Sequence, residues 1–566
     1  MNFSINYKKN KNENLFKTLE NSVLGLKNLQ NYIPIYKLFF SLNSGNYNKI
    51  NLNQYYSIES IESILSKNQL FVELRDISNQ ICRKETFCKF SPLLNPLRYI
   101  TGKYEMEKDN LFQLPDLEEN SIAKLNDFNN TSYVDGFFTY LSSQLLHTFG
   151  ILNCIDYYGS FLGNQDNFLF NIIDDIDYLN ENDWFHKYNE VLFEIEEDEY
   201  NNIFNIDSRN NKKKICINEK IELVDYEHIE NNVNDLSFAI VDLSNAIIYN
   251  SGISRTSSLS STSSCSSQSS NTSNEEEESD IEEDIDEDID EEENDEESES
   301  SIMDSHGDEE SFLKIKDFPI ELICLEKCEK TLDYLLENDL LDEDGWKSCL
   351  FQVIISLCLY QKVFSFTHND LHTNNIMYIE TQKQYLYYCF EGKHYKVPTF
   401  GKIFKIIDFG RSIYKYKGKQ LCSDAFHSKG DAATQYNFEP FFNENKPRLE
   451  PNFSFDLCRL ACCLYDYFIE DVEEAETVIK NNKIAKLVNK WLIDDKERNI
   501  LYKNNGEERY PEFKLYKMIA RTIHNAIPRE EINNELFEGY LISKKKINKK
   551  AVIMNIDKID SCISEK

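Results

Sequence analysis

The chain has 566 residues, 41% hydrophobic and 13% aromatic, enough to build a folded body with a sizeable core. Its formal net charge is −37, but residues 275–299 alone carry 19 acidic side chains and no Lys or Arg, so the remainder is only moderately acidic. That balance argues against a general nucleic-acid surface, and the basic runs at Lys212, Lys213 and Lys214 and at "KKKINKK" near the end read as solvated faces. The opening "MNFSINYKKNKNENLF" lacks the apolar centre of a signal peptide, and the 15 Cys form no CxxC pair. No uninterrupted apolar run approaches the ~20 residues of a membrane span. A soluble protein with reduced thiols in the cytoplasm is expected, with no membrane partner and no direct nucleic-acid contact.

In chain order, residues 1–69 read as an N-terminal extension. "ETFCKFSPLLNPLRYITGKY" follows, with an apolar strand that carries Lys89 between Cys88 and Phe90. "TSYVDGFFTYLSSQLLHTF" reads as a helix whose only acid, Asp135, lies near its start, with Gln144 further along. "LNCIDYYGSFLG" closes this first part at about residue 161. Residues 162–316 form an insertion with mixed patterning, in which "NDWFHKYNEVLFEI" suits a helix or a strand. From Ser251 a Ser-rich run passes into the acidic run, and neither buries enough apolar surface to offset the entropy of ordering, so disorder is expected over about 250–310. Ser279 and Ser298, set among acids, are expected phosphorylation sites, and the acidic run is an expected contact for a basic protein partner.

Order returns over residues 317–330 with "FPIELICLEKC", a strand running into Glu326 and Cys328. "EDGWKSCLFQVIISLCLYQKVF" then places Trp346, Leu350, Val353, Ile354, Leu357 and Tyr360 on one helical face, with Asp342 and Asp344 at its entry. That helix delivers the chain into "SFTHNDLHTNN", followed by a short strand "IMYI". Further on, "GKIFKIIDFGRS" is an apolar strand ending at Asp408, Phe409 and Gly410. Between these two strands, "TQKQYLYYCFEGKHYKVPTFGK" alternates around turn signals and predicts an added hairpin. Residues 331–540 make the second, helical part, and residues 541–566 a basic tail.

These residue types in this order suit phosphoryl transfer from ATP. The reaction needs a carboxylate to orient and deprotonate the accepting hydroxyl and oxygen ligands to hold Mg²⁺ on the phosphates. Asp370 fits the first role, Asn375 and Asp408 the second, and His368 would brace the loop. His368 and His372 are also spaced as in helical zinc sites, but the polar residues around them favour a loop, and no third ligand is identifiable.

At this point the chain resembles the protein-kinase superfamily. The pattern H-R-D-L-K-x-x-N stands here as His368-Asn369-Asp370-Leu371-His372-Thr373-Asn374-Asn375, D-F-G as Asp408-Phe409-Gly410, and Asp456 in "FSFDLCRLACCLYDYF" matches the family's buried Asp. The resemblance covers roughly residues 70–161 and 317–540. It implies an α+β fold of two lobes, the smaller β-rich and the larger helical, with a long insertion in the smaller one. It also implies ATP and Mg as ligands, Lys89 on the α- and β-phosphates, Glu326 to Cys328 beside the adenine, and a protein Ser/Thr hydroxyl as acceptor. His372 stands where the family has a phosphate-touching Lys, an Asp-Leu-His version that occurs in haspin-like kinases and in aminoglycoside and choline phosphotransferases. Asn369 replaces the Arg that pairs with a phosphorylated activation loop, so control by that route is not expected. "IESILSKNQLFVELRDISNQICRKETF" contains no Gly, so a normal Gly-rich loop is missing, and the helical ion-pair partner of Lys89 stays unassigned. "KFSPLL", "GKY", "YVDGFFTYLSSQLL" and "HNDLHTNNI" resemble kinase-like proteins of large DNA viruses, which would place the protein in host cytoplasm or the virion. Three readings follow: an active Ser/Thr protein kinase, a pseudokinase serving as a binding platform, and a small-molecule phosphotransferase.

Overall fold

A computed structural model of the protein describes residues 4–104, 110–195, 200, 204, 311–469 and 475–564. The expected disordered stretch, the acidic run, Ser279, Ser298 and the Lys212 run lie outside the described residues. The molecule is mixed α and β, with a β-rich N-terminal part and a helical C-terminal part.

The N-terminal part is built on strands β1 (Leu26–Gln30), β2 (Tyr56–Ser66), β3 (Gln69–Asp76), β4 (Ile81–Pro92) and β5 (Tyr157–Gln165), with helix α1 (Thr131–Phe149) between β4 and β5. Three short strands follow, β6 (Phe168–Asn171), β7 (Phe193–Glu194) and β8 (Phe312–Ile315), and then β9 (Phe318–Glu326). One antiparallel sheet takes the order β1-β5-β9-β4-β3-β2. In β3 the alternation is plain, since Leu70, Val72 and Leu74 all turn to the core. β5, flanked by β1 and β9, is buried at every position. The stretch set apart as an extension, residues 1–69, therefore supplies two of these strands. β2 is an edge strand with one wet face, so its sequence carries little apolar signal. The flanks of the insertion are also folded, as a small sheet of order β6-β8-β7, and "NDWFHKYNEVLFEI" resolves into a short helix, Asp183–Tyr188, and then β7.

Helices α2 (Glu343–Phe364), α3 (Phe455–Phe468), α4 (Lys483–Trp491) and α5 (Phe513–Thr522) carry the C-terminal part. Asp342 caps α2 by accepting from the Gly345 amide at 2.8 Å, and all six residues of the predicted face are buried. By length and composition α2 is apolar enough to cross a membrane, yet 89% of its most apolar window is buried inside the protein, as in a core helix. After it come β10 (Ile376–Glu380), β11 (Tyr385–Phe390), β12 (Lys393–Pro398), β13 (Lys402–Ile406), β14 (Ile413–Tyr416) and β15 (Lys419–Cys422). β11 and β12 form the predicted hairpin, turning at Glu391 and Gly392 with positive φ of 49° and 72°, the geometry a two-residue hairpin turn requires. The final strand β16 (Ile553–Asn555) pairs in parallel with β11, and Asp557 accepts from both turn amides. Because β10 and β13 pair directly, the hairpin leaves the loops on either side of it together, and the Ile407 amide donates to the Asn375 carbonyl at 3.0 Å.

Candidate active site

The loop that follows α2 is fixed by its backbone. The amides of His368 and Asn369 donate to the buried Asp456 carboxylate at 2.9–3.1 Å, and the His368 ring places Nε2 2.9 Å from the Ile407 carbonyl. Burial pushes the Asp456 carboxyl up, against the pull of His368 and these amides. Asn369 holds a positive φ of 63°, which Asn tolerates better than most residues. Its side chain donates to the Arg411 carbonyl at 3.0 Å and accepts from the Tyr436 hydroxyl at 2.8 Å. The segment after Gly410 is thus tied to this loop by neutral hydrogen bonds at the position where the motif has an Arg.

Asp370 follows directly. Its Oδ1 accepts from the Tyr516 hydroxyl of α5 at 3.0 Å, and the Tyr516 oxygen accepts in turn from Arg459 Nε of α3 at 2.8 Å. The Arg411 guanidinium lies 3.7 Å from the same carboxylate oxygen. Burial alone would raise the Asp370 pKa, but Arg411 above all, with Arg459, holds it below the usual carboxylate range. His372 is pushed below the usual imidazole value by burial, and its Nε2 accepts from Asn375 Nδ2 at 3.0 Å, which fixes a neutral ring. Asn375 Nδ2 also donates to the Asp370 carbonyl at 2.9 Å, so the amide oxygen faces away from both bonds.

In the β-rich part, Lys89 Nζ of β4 lies 2.7 Å from Asp135 Oδ2 and 2.8 Å from Asp408 Oδ1. Asp135 is therefore the helical partner that sequence reasoning left unassigned. It looked too near the helix start, but that is the end of α1 aimed at the site. Thr131, the first residue of α1, donates its amide and hydroxyl to Asp424, while Gln144 lies well down the helix and donates to the Asn53 carbonyl. The other oxygen of Asp135 accepts from the Phe409 amide at 2.9 Å, and the Phe409 ring is buried 4.7 Å from that of Phe138 on α1. Burial would lower the Lys89 pKa, yet the charges of Asp135 and Asp408 keep it raised. Burial opposes ionisation of Asp408 too, and Lys89 overcomes it, leaving the carboxyl at about 2. For Asp135 burial wins, and the neighbouring Asp408 adds to it, so its pKa is raised.

Lys89, Asp135 and Asp408 form one end of a cavity of about 270 Å³, closed by apolar side chains that include Phe87, Ile155, Leu325 and Met377. Glu326 and Cys328 line it as well. The Glu326 carboxylate, however, is turned to Lys405 and to the Asp156 amide, so what it offers the cavity is backbone and wall rather than a free charge. Burial pushes the Cys328 thiol up to about 12, which keeps it neutral. In place of a Gly-rich turn, the β2–β3 hairpin turns at Lys67 and Asn68. Asn68 accepts from the Cys88 amide at 2.7 Å and donates to its carbonyl at 2.9 Å, which pins the hairpin tip beside Lys89.

The structure thus gathers Lys89, Asp408, Glu326 and Cys328 around one cavity and sets Asp370, His368, His372 and Asn375 on one loop. Among the described residues no group of three or more His, Cys, Asp or Glu is placed to hold a metal ion. The amide oxygen of Asn375, which accepts no hydrogen bond among the described residues, and the second oxygen of Asp408 nevertheless suit a hard cation that draws its other ligands from water and phosphate. Sequence reasoning did not reach Arg411, Tyr516, Arg459 and Lys405. Tyr516 and Arg459 come from helices far along the chain, whereas Arg411, next to the D-F-G, carried the one local signal that went unused.

No family model matches the chain. Among curated proteins it is similar to a serine/threonine-protein kinase haspin homolog of Arabidopsis thaliana, 32% identical over 133 residues, covering 22% of this chain and 21% of that protein. It is similar to uncharacterized protein 098R of Invertebrate iridescent virus 6, 29% identical over 146 residues, covering 25% and 22%. A third relative is a "Probable serine/threonine-protein kinase" of Dictyostelium discoideum, 35% identical over 98 residues, covering 16% and 8%. The chain thus spans about a fifth or less of the length of each relative.

Proposed function

We propose that the protein is an ATP-dependent phosphotransferase of the protein-kinase type, acting on Ser/Thr hydroxyls of a protein substrate. The observation that carries this reading is the contact of Lys89 with both Asp135 and Asp408 at the end of an apolar cavity, next to a loop that presents Asp370 and Asn375. The β-rich and helical parts are the two lobes of a kinase-like fold, and the nucleotide lies between them. The adenine enters the cavity beside Glu326 and Cys328, where backbone groups recognise it, and Lys89 contacts the phosphates. Asn375 and Asp408 hold Mg, which neutralises charge on the phosphates when bound. Asp370, one oxygen fixed by Tyr516, orients the acceptor hydroxyl with the other and takes its proton as the new oxygen–phosphorus bond forms and the bond to ADP breaks. His368 braces the loop. His372, neutral, positions Asn375 rather than supplying charge.

The kinase homologues support the reaction class, and a host-cytoplasmic location is part of the same proposal. A basic protein partner for the acidic run remains part of the proposal. The hairpin tip pinned at Asn68 favours a second reading, a pseudokinase with a cleft closed to phosphates. Transfer of label from radiolabelled ATP with Mg²⁺, to the protein itself and to a panel of proteins and small alcohols, separates the readings. Loss of label in both Asp370→Asn and Asp408→Ala is expected. Equal signal in wild type and variants would remove the enzymatic reading, and label on alcohols alone would make the acceptor a metabolite.

A further inference from the structure

Phosphoryl transfer concentrates negative charge between donor and acceptor, and a cation at that point lowers the barrier. On the catalytic loop the natural position for it is residue 372, but Nε2 of the His372 ring already accepts from Asn375 and has no proton to offer there. Lys89 sits with Asp135 and Asp408 at the end of the cavity, where the proposed donor phosphates lie rather than beside Asp370, and Arg459 donates to Tyr516 and to Cys463 Sγ. Arg411 differs from all of these. Its side chain is only 14% exposed, and its guanidinium makes no hydrogen bond among the described residues. Its nearest partners are the Asp370 carboxylate at 3.7 Å and the Tyr516 ring at 5.9 Å, with Asp431 adding a further negative charge. A largely buried fork of five donors with no acceptor within hydrogen-bond distance among the described residues suits an oxyanion, and its position beside the proposed base puts that oxyanion on the line of transfer.

We infer that Arg411 is a catalytic residue whose guanidinium contacts the transferring phosphoryl group, taking over from the loop side chain at position 372 the charge stabilisation at the transfer point. This rests on the phosphotransferase reading above. The Tyr516 hydroxyl is the companion positioning group. It holds Asp370 Oδ1, so the oxygen beside Arg411 is kept in place and the other is left for the acceptor.

The test compares wild type, Arg411→Met and Arg411→Lys in full-length protein by calorimetry, first with Mg²⁺ and ADP, then with Mg²⁺, ADP and aluminium fluoride, which imitates the phosphoryl group in transit. Wild type should bind more tightly, by about tenfold or more, when fluoride is added. Arg411→Met should lose that gain while its ADP affinity changes less than about threefold, and Arg411→Lys should keep part of it. The acid limb of the rate profile should also move to higher pH in Arg411→Met, as Asp370 loses its nearest cation. An unchanged fluoride gain in Arg411→Met, with wild type responding, overturns the role of Arg411 and leaves the phosphotransferase reading standing. Wild type that binds neither ligand overturns both. A general loss of ADP binding in Arg411→Met, with Arg411→Lys intact in thermal unfolding but no better, would make the residue structural and also overturns the inference.

Discussion

Lys89 and Lys405 each reach a carboxylate that lines the same cavity, yet their surroundings differ in a way that assigns them different work. Lys405 is 2% exposed, pairs among the described residues with Glu326 and spends a further donor on the Cys154 carbonyl at 2.8 Å, so its charge is matched and its donors are largely used. Lys89 is 29% exposed and faces two acids, which leaves the site with surplus negative charge and an ammonium group that solvent or a ligand can still reach. A matched, dry pair holds β13 to the end of β9. An unmatched, half-open one stands ready to exchange partners. Only the second suits the place proposed for phosphates and a cation.

Substitution can break this contrast. Lys89→Met should lower phosphate transfer by about 10²–10⁴-fold with the fold retained, because Asp135, whose carboxyl burial already raises, takes up a proton and relieves the repulsion. A coupled rate assay and near-UV circular dichroism would check both halves. Lys405→Met should do the reverse, costing about 3–5 kcal/mol in denaturant unfolding by stranding Glu326. If both lysine variants unfolded at similar denaturant concentrations, the distinction between them would fail. Asp135→Asn sharpens the comparison. It leaves Lys89 one carboxylate and weakens the bond to the Phe409 amide, so a smaller drop, about tenfold in kcat, is expected with stability near that of wild type.

The smallest effect is in acid. The Asp408 pKa is depressed to about 2 from an unfolded value near ~3.9, so its contribution is complete above ~4 and is lost as pH falls toward 2. Unfolding midpoints measured across that window should decline more gently in Lys89→Met than in wild type. A parallel decline would show that Lys89 does not set the Asp408 carboxyl.

Local chemistry was the legible part of this site. His368, Asp370, Asn375 and Asp408 sit in short motifs that single them out, and the added hairpin was readable from its alternation and turn residues. Asp135 was seen but set aside, because the sequence states where a helix begins and not which end points at the cleft. Glu326 was placed correctly at the strand end, but its engagement with Lys405 depends on a pairing 79 residues away that no local pattern encodes. The edge strand β2 was missed for the opposite reason, since one wet face dilutes its apolar alternation. Tyr516 reaches Asp370 from 146 residues further along, and only packing brings it there.

The outer face of α1 is gripped along most of its length by the residues that precede β2 and begin it. Phe39 stacks on Phe137 at 5.0 Å, Asn53 meets both Tyr140 and Gln144, and the Tyr55 ring lies flat on His147 at 4.2 Å. For anyone seeking small molecules against this cleft, that grip narrows the choice. Compounds that gain selectivity by prising such a helix outward would have to break four anchoring contacts first, so ligands shaped to the closed cavity are the better starting point.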